Sequence, residues 1–192
     1  MSAFRTARWL VLTALLCWGP AQAADGPSPD GCSDKFPASL SKRLAHEYPS
    51  LRLPRLSDYQ RRDVTYFRKS TGRSCPGVVF GDFDGDRIMD VAVVLVDPNN
   101  KAPRFVIALR RETDWALYTP EIWCNYAPAC YVDTLEPGLY ESTQSHEGDK
   151  SDPKDRASLR TKNTSVLAGK FESTGVMYAF SEGQWVYVVL SE

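Results

Sequence analysis

The chain has 192 residues, and its 23 Lys and Arg nearly balance its 24 Asp and Glu, so that the formal net charge at pH 7 is -1. Such a balance excludes the strong positive field that draws nucleic acid to a protein, and we expect no nucleic-acid partner. The length suits one well-buried domain and is too short for two ordinary ones.

The N-terminus predicts export. Arg5 and Arg8 precede an apolar run over residues 9–18, and the small-x-small site Ala21-Gln22-Ala23 follows. This order is typical of a cleavable signal peptide, here residues 1–23. A retained membrane anchor is the alternative, although the run is too short to span a bilayer comfortably. We therefore expect a periplasmic or secreted bacterial protein with no transmembrane segment in the mature chain.

Four cysteines remain after the signal peptide, namely Cys32, Cys75, Cys124 and Cys130. An even number in a chain bound for an oxidising compartment predicts two disulfides. Three connectivities are possible, and we prefer Cys124–Cys130 together with Cys32–Cys75. A zinc site is the rival interpretation, but the two histidines lie far from any cysteine pair with ligand spacing.

Residues 24–31, rich in Pro, Gly and Asp, predict a flexible leader, and residues 32–192 a single disulfide-bonded domain. A short amphipathic helix is predicted next, because apolar residues recur at every fourth position and prolines flank the pattern. The apolar positions are Phe36, Leu40, Leu44 and Tyr48. The following stretch, up to residue 66, predicts an irregular connection or a further helical turn that starts at Ser57.

Strands are predicted from Val78 to the C-terminus, and the first three runs are so apolar that they suit strands covered on both faces or central in a sheet. They cover residues 78–80, 91–96, 104–109, 115–118, 131–134, 165–168, 176–180 and 185–190. The fold class that we predict is α+β, with the short N-terminal helix packed on an antiparallel meander in one domain. Residues 141–157 have almost no large apolar side chains and predict a mobile surface loop.

The most specific signal is an aspartate-rich segment in front of an apolar strand. Counted from Asp82, carboxylates occupy positions one, three, five and nine, and the carbonyl of Ile88 occupies position seven. Calcium binds six to eight oxygen ligands, which closely spaced aspartates on a curled backbone can supply. The candidate ligands are Asp82, Asp84, Asp86, Ile88 and Asp90. An EF-hand is excluded, because position six is Arg87 and position twelve is Val93.

The segment from Gly81 to Val96 resembles the calcium loops of FG-GAP and VCBS-type repeats, which follow the pattern D-x-D/N-x-D-G-x-x-D. The resemblance implies a structural calcium ion held by Asp82, Asp84, Asp86 and Asp90. Arg87 stands where the repeats have glycine, which costs roughly 1–2 kcal/mol if the left-handed conformation is kept. A single copy in so short a chain excludes a propeller built of such repeats.

The wider order of features also resembles small secreted bacterial proteins of uncharacterised function. A helix ends at Tyr-Pro, Cys-Pro-Gly and the aspartate segment follow, and the chain closes on an aromatic strand. This likeness implies a fold and no activity. Two alternatives for the aspartate segment stay open, namely a metal-free turn whose carboxylates cap backbone amides, and a catalytic carboxylate site.

The sequence favours a non-enzymatic role. It contains no Gly-x-Ser-x-Gly elbow, phosphate loop or dinucleotide fingerprint. We expect a calcium-stabilised binding or interaction module of the bacterial envelope, whose partner is a protein or an envelope polymer. The alternatives are a hydrolase of an envelope polymer that uses carboxylates such as Asp84 or Asp86, and an inhibitor or immunity protein that acts through the loop between Cys124 and Cys130.

Overall fold

The computed structural model describes residues 32–99, 102–120, 124–142, 152–173 and 175–190. The signal peptide and the flexible leader predicted over residues 1–31 lie outside this part of the chain. Two α-helices occur within it, α1 over Ala38–Glu47 and α2 over Arg61–Thr71. No helix among these residues has the length and apolar character needed to cross a bilayer.

The described residues form ten strands. These are β1 Val78–Gly81, β2 Asp90–Val96, β3 Pro103–Arg110, β4 Trp115–Tyr118, β5 Cys130–Leu135, β6 Leu139–Glu141, β7 Ser158–Arg160, β8 Ser165–Lys170, β9 Gly175–Ser181 and β10 Gln184–Leu190. The first sheet has the order β1-β2-β3-β4 and the second the order β10-β9-β8-β5, and every pairing is antiparallel. Strands β6 and β7 form a separate two-stranded sheet.

The main hydrophobic core lies between the two four-stranded sheets. Alternate side chains of β2 and β3 reach it from the first sheet, and alternate side chains of β5, β8 and β9 from the second. Its members include Ala92, Val94, Phe105, Ile107, Leu109, Val132, Val166, Ala168, Val176 and Tyr178. The protein is therefore a β-sandwich at its centre.

A second core covers the opposite face of the first sheet. Leu40 and Leu44 of α1 are buried there with the remaining side chains of β2 and β3, which are Val91, Val93, Leu95, Val106 and Ala108. Because one face of β2 meets the second sheet and the other meets this cluster, all seven of its residues are buried. This explains why β2 is an uninterrupted apolar run.

The predicted fold class is wrong. The described chain consists mainly of antiparallel sheets, with two short helices, and it is not one helix packed on a single meander. The predicted strands are present, but those after residue 130 form a second sheet. Its edge strand β5 pairs with β8 from Cys130↔Lys170 to Leu135↔Ser165. The apolar pattern of a strand is the same whether the strand joins the first sheet or belongs to a second sheet packed against it. The pattern therefore does not determine which strands pair.

The predicted mobile loop over residues 141–157 is tested only at its ends, since residues 143–151 lie outside the described chain. Glu141 belongs to β6. At the other end, Tyr187 of β10 donates its backbone N–H to Lys154 and accepts one from Arg156. Residues 154–156 are therefore held against the edge of the second sheet.

Candidate metal site

The aspartate loop, residues 82–89, joins β1 to β2, and the pair Gly81↔Asp90 closes its base. Its carboxylates turn the backbone by accepting N–H groups from residues further along the loop. Asp82 accepts from Gly85 at 2.8 Å and from Arg87 at 2.9 Å. Gly85 has φ 83° and Arg87 has φ 68°, so two left-handed residues complete the curl.

The tight turn brings three of the five predicted ligands together. Oxygen atoms of Asp82, Asp84 and Asp86 all lie within 4.8 Å of one another. Asp84 Oδ1 accepts the N–H of Asp86 at 3.3 Å, and Asp86 Oδ1 accepts the N–H of Ile88 at 2.8 Å. One oxygen of each of these two carboxylates thus shapes the loop, and Oδ2 remains for a cation.

In the structure that cation is a guanidinium. Nη1 of Arg111 lies 2.7 Å from Oδ2 of Asp84 and 3.5 Å from Oδ2 of Asp86. Arg111 follows β3, and its backbone N–H donates to Asp114 in the turn that leads to β4. No pattern in the sequence pairs Arg111 with the loop, because the contact depends on the β2–β3 pairing.

Asp90, the predicted ligand at position nine, lies behind the cluster and outside it. It is fully buried, and its oxygens accept the N–H groups of Phe83 at 2.9 Å and of Arg110 at 2.8 Å. Burial raises the pKa of Asp90 to about 6; the two N–H donors act against this, and the charges of Asp84 and Asp86 add to it. Asp90 thus ties the loop to β3.

Two side chains that are not among the predicted ligands also position the loop. Phe83 is fully buried in the main core, which anchors the loop between Asp82 and Asp84. Asn163, in the connection from β7 to β8, packs against Gly85 so closely that a Cβ there would lie 2.6 Å from its side chain. Gly85 is therefore required both by its φ and by this contact.

The donor set fits a calcium ion. Asp82, Asp84 and Asp86 offer hard carboxylate oxygens at close spacing, and exposed loop residues leave room for water ligands. Two of these carboxylates, Asp84 and Asp86, are already paired with a positive group, the guanidinium of Arg111. Ile88, whose carbonyl was predicted as a ligand, is an exposed residue of this loop and donates its N–H to Asp86.

Both disulfides have the preferred connectivity. Cys32 is bonded to Cys75, across 43 positions of sequence, and Cys124 is bonded to Cys130, across six. The first ties the segment before α1 to the residues that precede β1, and the second closes a loop that leads into β5. These bonds agree with a chain that folds in an oxidising compartment.

Comparison of the chain with protein families, with curated proteins and with solved structures finds no match.

Proposed function

We propose that the protein is an exported, non-enzymatic binding module of the bacterial envelope, in which calcium stabilises the hairpin between β1 and β2. The observation that carries the calcium proposal is the convergence of Asp82, Asp84 and Asp86 within 4.8 Å on one loop. Three carboxylates at this distance repel one another, and a divalent cation offsets that repulsion more fully than one exposed guanidinium.

The disulfides support the exported location that is part of the proposal. Both disulfides suit the periplasm or the exterior, where thiols are not kept reduced. Calcium sites of extracellular modules bind weakly, with dissociation constants of about 10⁻⁴–10⁻³ M, so a loop with few strong ligands can serve there. A site that lacks the bidentate ligand of a tight calcium loop is consistent with this range.

A structural role for calcium follows from the position of the loop. Phe83 places it directly against the main core, and Asp90 ties it to β3. An ion bound by Asp82, Asp84 and Asp86 would hold the β1–β2 hairpin in its curled form. Binding to the folded state alone stabilises by about 2.7 kcal/mol at a calcium concentration one hundred times the dissociation constant.

Thermal unfolding tests the proposal. We expect calcium at that excess to raise the Tm of the purified, disulfide-bonded protein by about 5–11 °C over the value in chelator. Asp84→Asn should abolish this shift, whereas Asp34→Asn, the same change at an exposed site before α1, should keep it. An equal Tm in calcium and in chelator would exclude the structural ion.

The same variant distinguishes a hydrolase. If Asp84 acted on an envelope polymer, Asp84→Asn would abolish turnover of that polymer and leave the calcium response of the Tm intact. If Asp84 is a calcium ligand, the variant loses the calcium response. If the protein is also non-enzymatic, as we propose, the wild-type protein shows no turnover. Release of soluble products from purified cell-wall material is the activity to be measured.

A further inference from the structure

A second candidate site lies between α2 and the outer face of the second sheet, away from the aspartate loop. This site, the α2 cleft, has a volume of about 470 Å³, which is within the usual range of ligand pockets. Its lining includes Arg62, Asp63 and Tyr66 of α2, Tyr131 of β5, and Phe171 and Glu172, which follow β8. Tyr131, Asp133 and Leu167 alternate with core residues of β5 and β8 and therefore point away from the main core.

Three aromatic rings form the wall of the α2 cleft. The ring centroids of Tyr131 and Phe171 are 5.0 Å apart, and Phe67 lies 6.2 Å from the first and 6.3 Å from the second. Tyr131 lies across Gly169 on the paired strand, where a Cβ would come within 2.9 Å of its ring. The cluster is thus fixed by the sheet. Tyr66, two-thirds exposed, adds a fourth ring at the rim.

Side chains of positive and of negative charge surround the rings. Asp133 is already paired inside the protein, since Arg73 lies 2.6 Å from its Oδ1 and 4.9 Å from the centroid of Phe67. The side chain of Asp63 is only 10% exposed, and its ion pair is with the neighbouring Arg62, whose own side chain is 69% exposed. The pair spans 3.3 Å through Nε of Arg62. Because Arg62 is largely exposed and contacts only one oxygen of Asp63, the carboxylate of Asp63 can accept further hydrogen bonds from a ligand.

We propose that the α2 cleft binds a sugar unit of an uncharged oligosaccharide. The C–H face of a pyranose ring carries a slight positive charge and packs on the negative face of an aromatic ring such as Tyr66. Its hydroxyl groups can donate to Asp63 and Glu172 and accept from Arg62, so that carboxylate and guanidinium are both used. The mixture of rings, acceptors and donors is what a neutral polyol with one apolar face requires.

The charges disfavour other classes of ligand. Arg61, Arg68 and Lys69 are exposed on the same helix, and they would repel a cationic peptide before it reached the cleft. The cleft is lined by three carboxylates, those of Asp63, Asp133 and Glu172, and by the guanidinium of Arg62. This net negative lining would repel an anionic ligand. A purely apolar ligand would leave that carboxylate desolvated without new hydrogen bonds, which is costly.

Titration with uncharged trisaccharides tests the inference. The purified, disulfide-bonded protein is titrated with the trisaccharides of N-acetylglucosamine, of β-linked glucose and of α-linked glucose, and binding is followed by calorimetry and by amide chemical shifts. We expect at least one of them to bind and to shift residues of α2, β5 and β8. The titrations are made in chelator, so that failure of the calcium proposal does not affect them.

Two pairs of variants identify the cleft as the site. Tyr66→Ala should weaken binding about fivefold, whereas Tyr126→Ala, at another exposed tyrosine, should not. Asp63→Asn should weaken it about tenfold, whereas Asp114→Asn, at an exposed aspartate beyond β3, should not. Because Tyr66 is exposed, its variant keeps the fold even if Asp63→Asn does not.

Three outcomes would overturn the inference. The first is that none of the three sugars binds at millimolar concentration. The second is binding that Tyr66→Ala leaves unchanged. The third is preference for a charged ligand over every uncharged sugar. Preference for a sulfated trisaccharide would mean that the cations on the surface of α2 determine binding, and preference for an oligo-lysine peptide would mean that the cleft carboxylates bind cations.

Discussion

Nη1 of Arg111 lies 2.7 Å from Oδ2 of Asp84, so a guanidinium from the end of β3 neutralises the loop that is proposed to bind calcium. The side chain of Asp84 is only 7% exposed, whereas that of Arg111 is 42% exposed and can move into solvent. Calcium and Arg111 would therefore compete for the same oxygen atoms.

Replacing Arg111 should strengthen calcium binding. Because Arg111 is exposed, we expect its ion pair with Asp84 to contribute about as much as a surface pair, up to about 1 kcal/mol. Arg111→Gln should therefore lower the Kd for calcium by about fivefold and make the calcium-free protein slightly less stable. Calorimetric titration with calcium measures the first effect and urea unfolding in chelator the second. Arg104→Gln, at an exposed arginine near the start of β3, makes the same change in net charge and should leave the Kd unaltered. Weaker binding by Arg111→Gln would show that Arg111 supports the site.

Arg87 carries a backbone strain that glycine would relieve. Its φ of 68° is left-handed, a conformation that destabilises the folded state by roughly 1–2 kcal/mol for a residue with a Cβ. Glycine avoids this strain, but its greater conformational freedom in the unfolded chain offsets part of the gain. Arg87→Gly should therefore raise the free energy of unfolding by about 0.5–1 kcal/mol in chelator. The control is Arg87→Ala, which removes the cation and keeps the strain. If the two variants have equal stability in urea, the left-handed conformation is not the cause.

The amino-acid sequence predicts much of this loop. The spacing of Asp82, Asp84 and Asp86 indicates a cation site because a curled backbone places alternate side chains on one side, and the structure brings these carboxylates together. Asp90 fits the same pattern, yet its carboxylate turns inward to the N–H groups of Phe83 and Arg110. A repeat pattern gives the position of a residue along the chain and not the direction of its side chain, which here depends on β3.

The fold shows the same limit on a larger scale. Apolar runs predict individual strands such as β2 and β9, because burial requires them in any arrangement. They do not predict that β5 pairs with β8 some thirty residues later, since this depends on contacts between distant segments. Helix α2 is also hard to predict, because only Asp63 and Phe67 of its eleven residues are buried.

Asp90 should make stability depend on pH. Its pKa rises from 3.8 in the unfolded chain to about 6 in the folded protein, so between these values the folded state keeps a proton that the unfolded state has released. The contribution of Asp90 to the free energy of unfolding is therefore greatest below pH 4, falls by about 3 kcal/mol as the pH rises through 6 to about 7, and is constant above that. The expectation applies to calcium-free buffer.

The difference between wild type and Asp90→Asn isolates this effect from that of the other carboxylates. Urea unfolding at pH 4, 5, 6 and 7 should show the wild type losing stability relative to the variant over that range. Circular dichroism would verify that the variant keeps its sheets, since asparagine retains one acceptor for Phe83 or Arg110. Parallel curves for the two proteins would mean that Asp90 titrates near its ordinary pKa.

The two disulfides should contribute unequally to stability. All four disulfide-bonded cysteines are buried, so replacing either pair alters contacts inside the protein. The bonds differ in the freedom that they take from the unfolded chain, because Cys32–Cys75 spans 43 positions and Cys124–Cys130 only six. Loop-closure entropy predicts a stabilisation of about 4 kcal/mol for the first bond and about 2 kcal/mol for the second.

Double alanine variants of each pair test this order. We expect the variant that lacks Cys32 and Cys75 to lose about twice as much free energy of unfolding in urea as the variant that lacks Cys124 and Cys130. The wild type under reducing conditions should approach the sum of both losses, because the bonds lie in different parts of the chain. The reverse order would show that the loop before β5 depends on Cys124–Cys130 for its folded shape, and that the contribution of this bond lies in the native state.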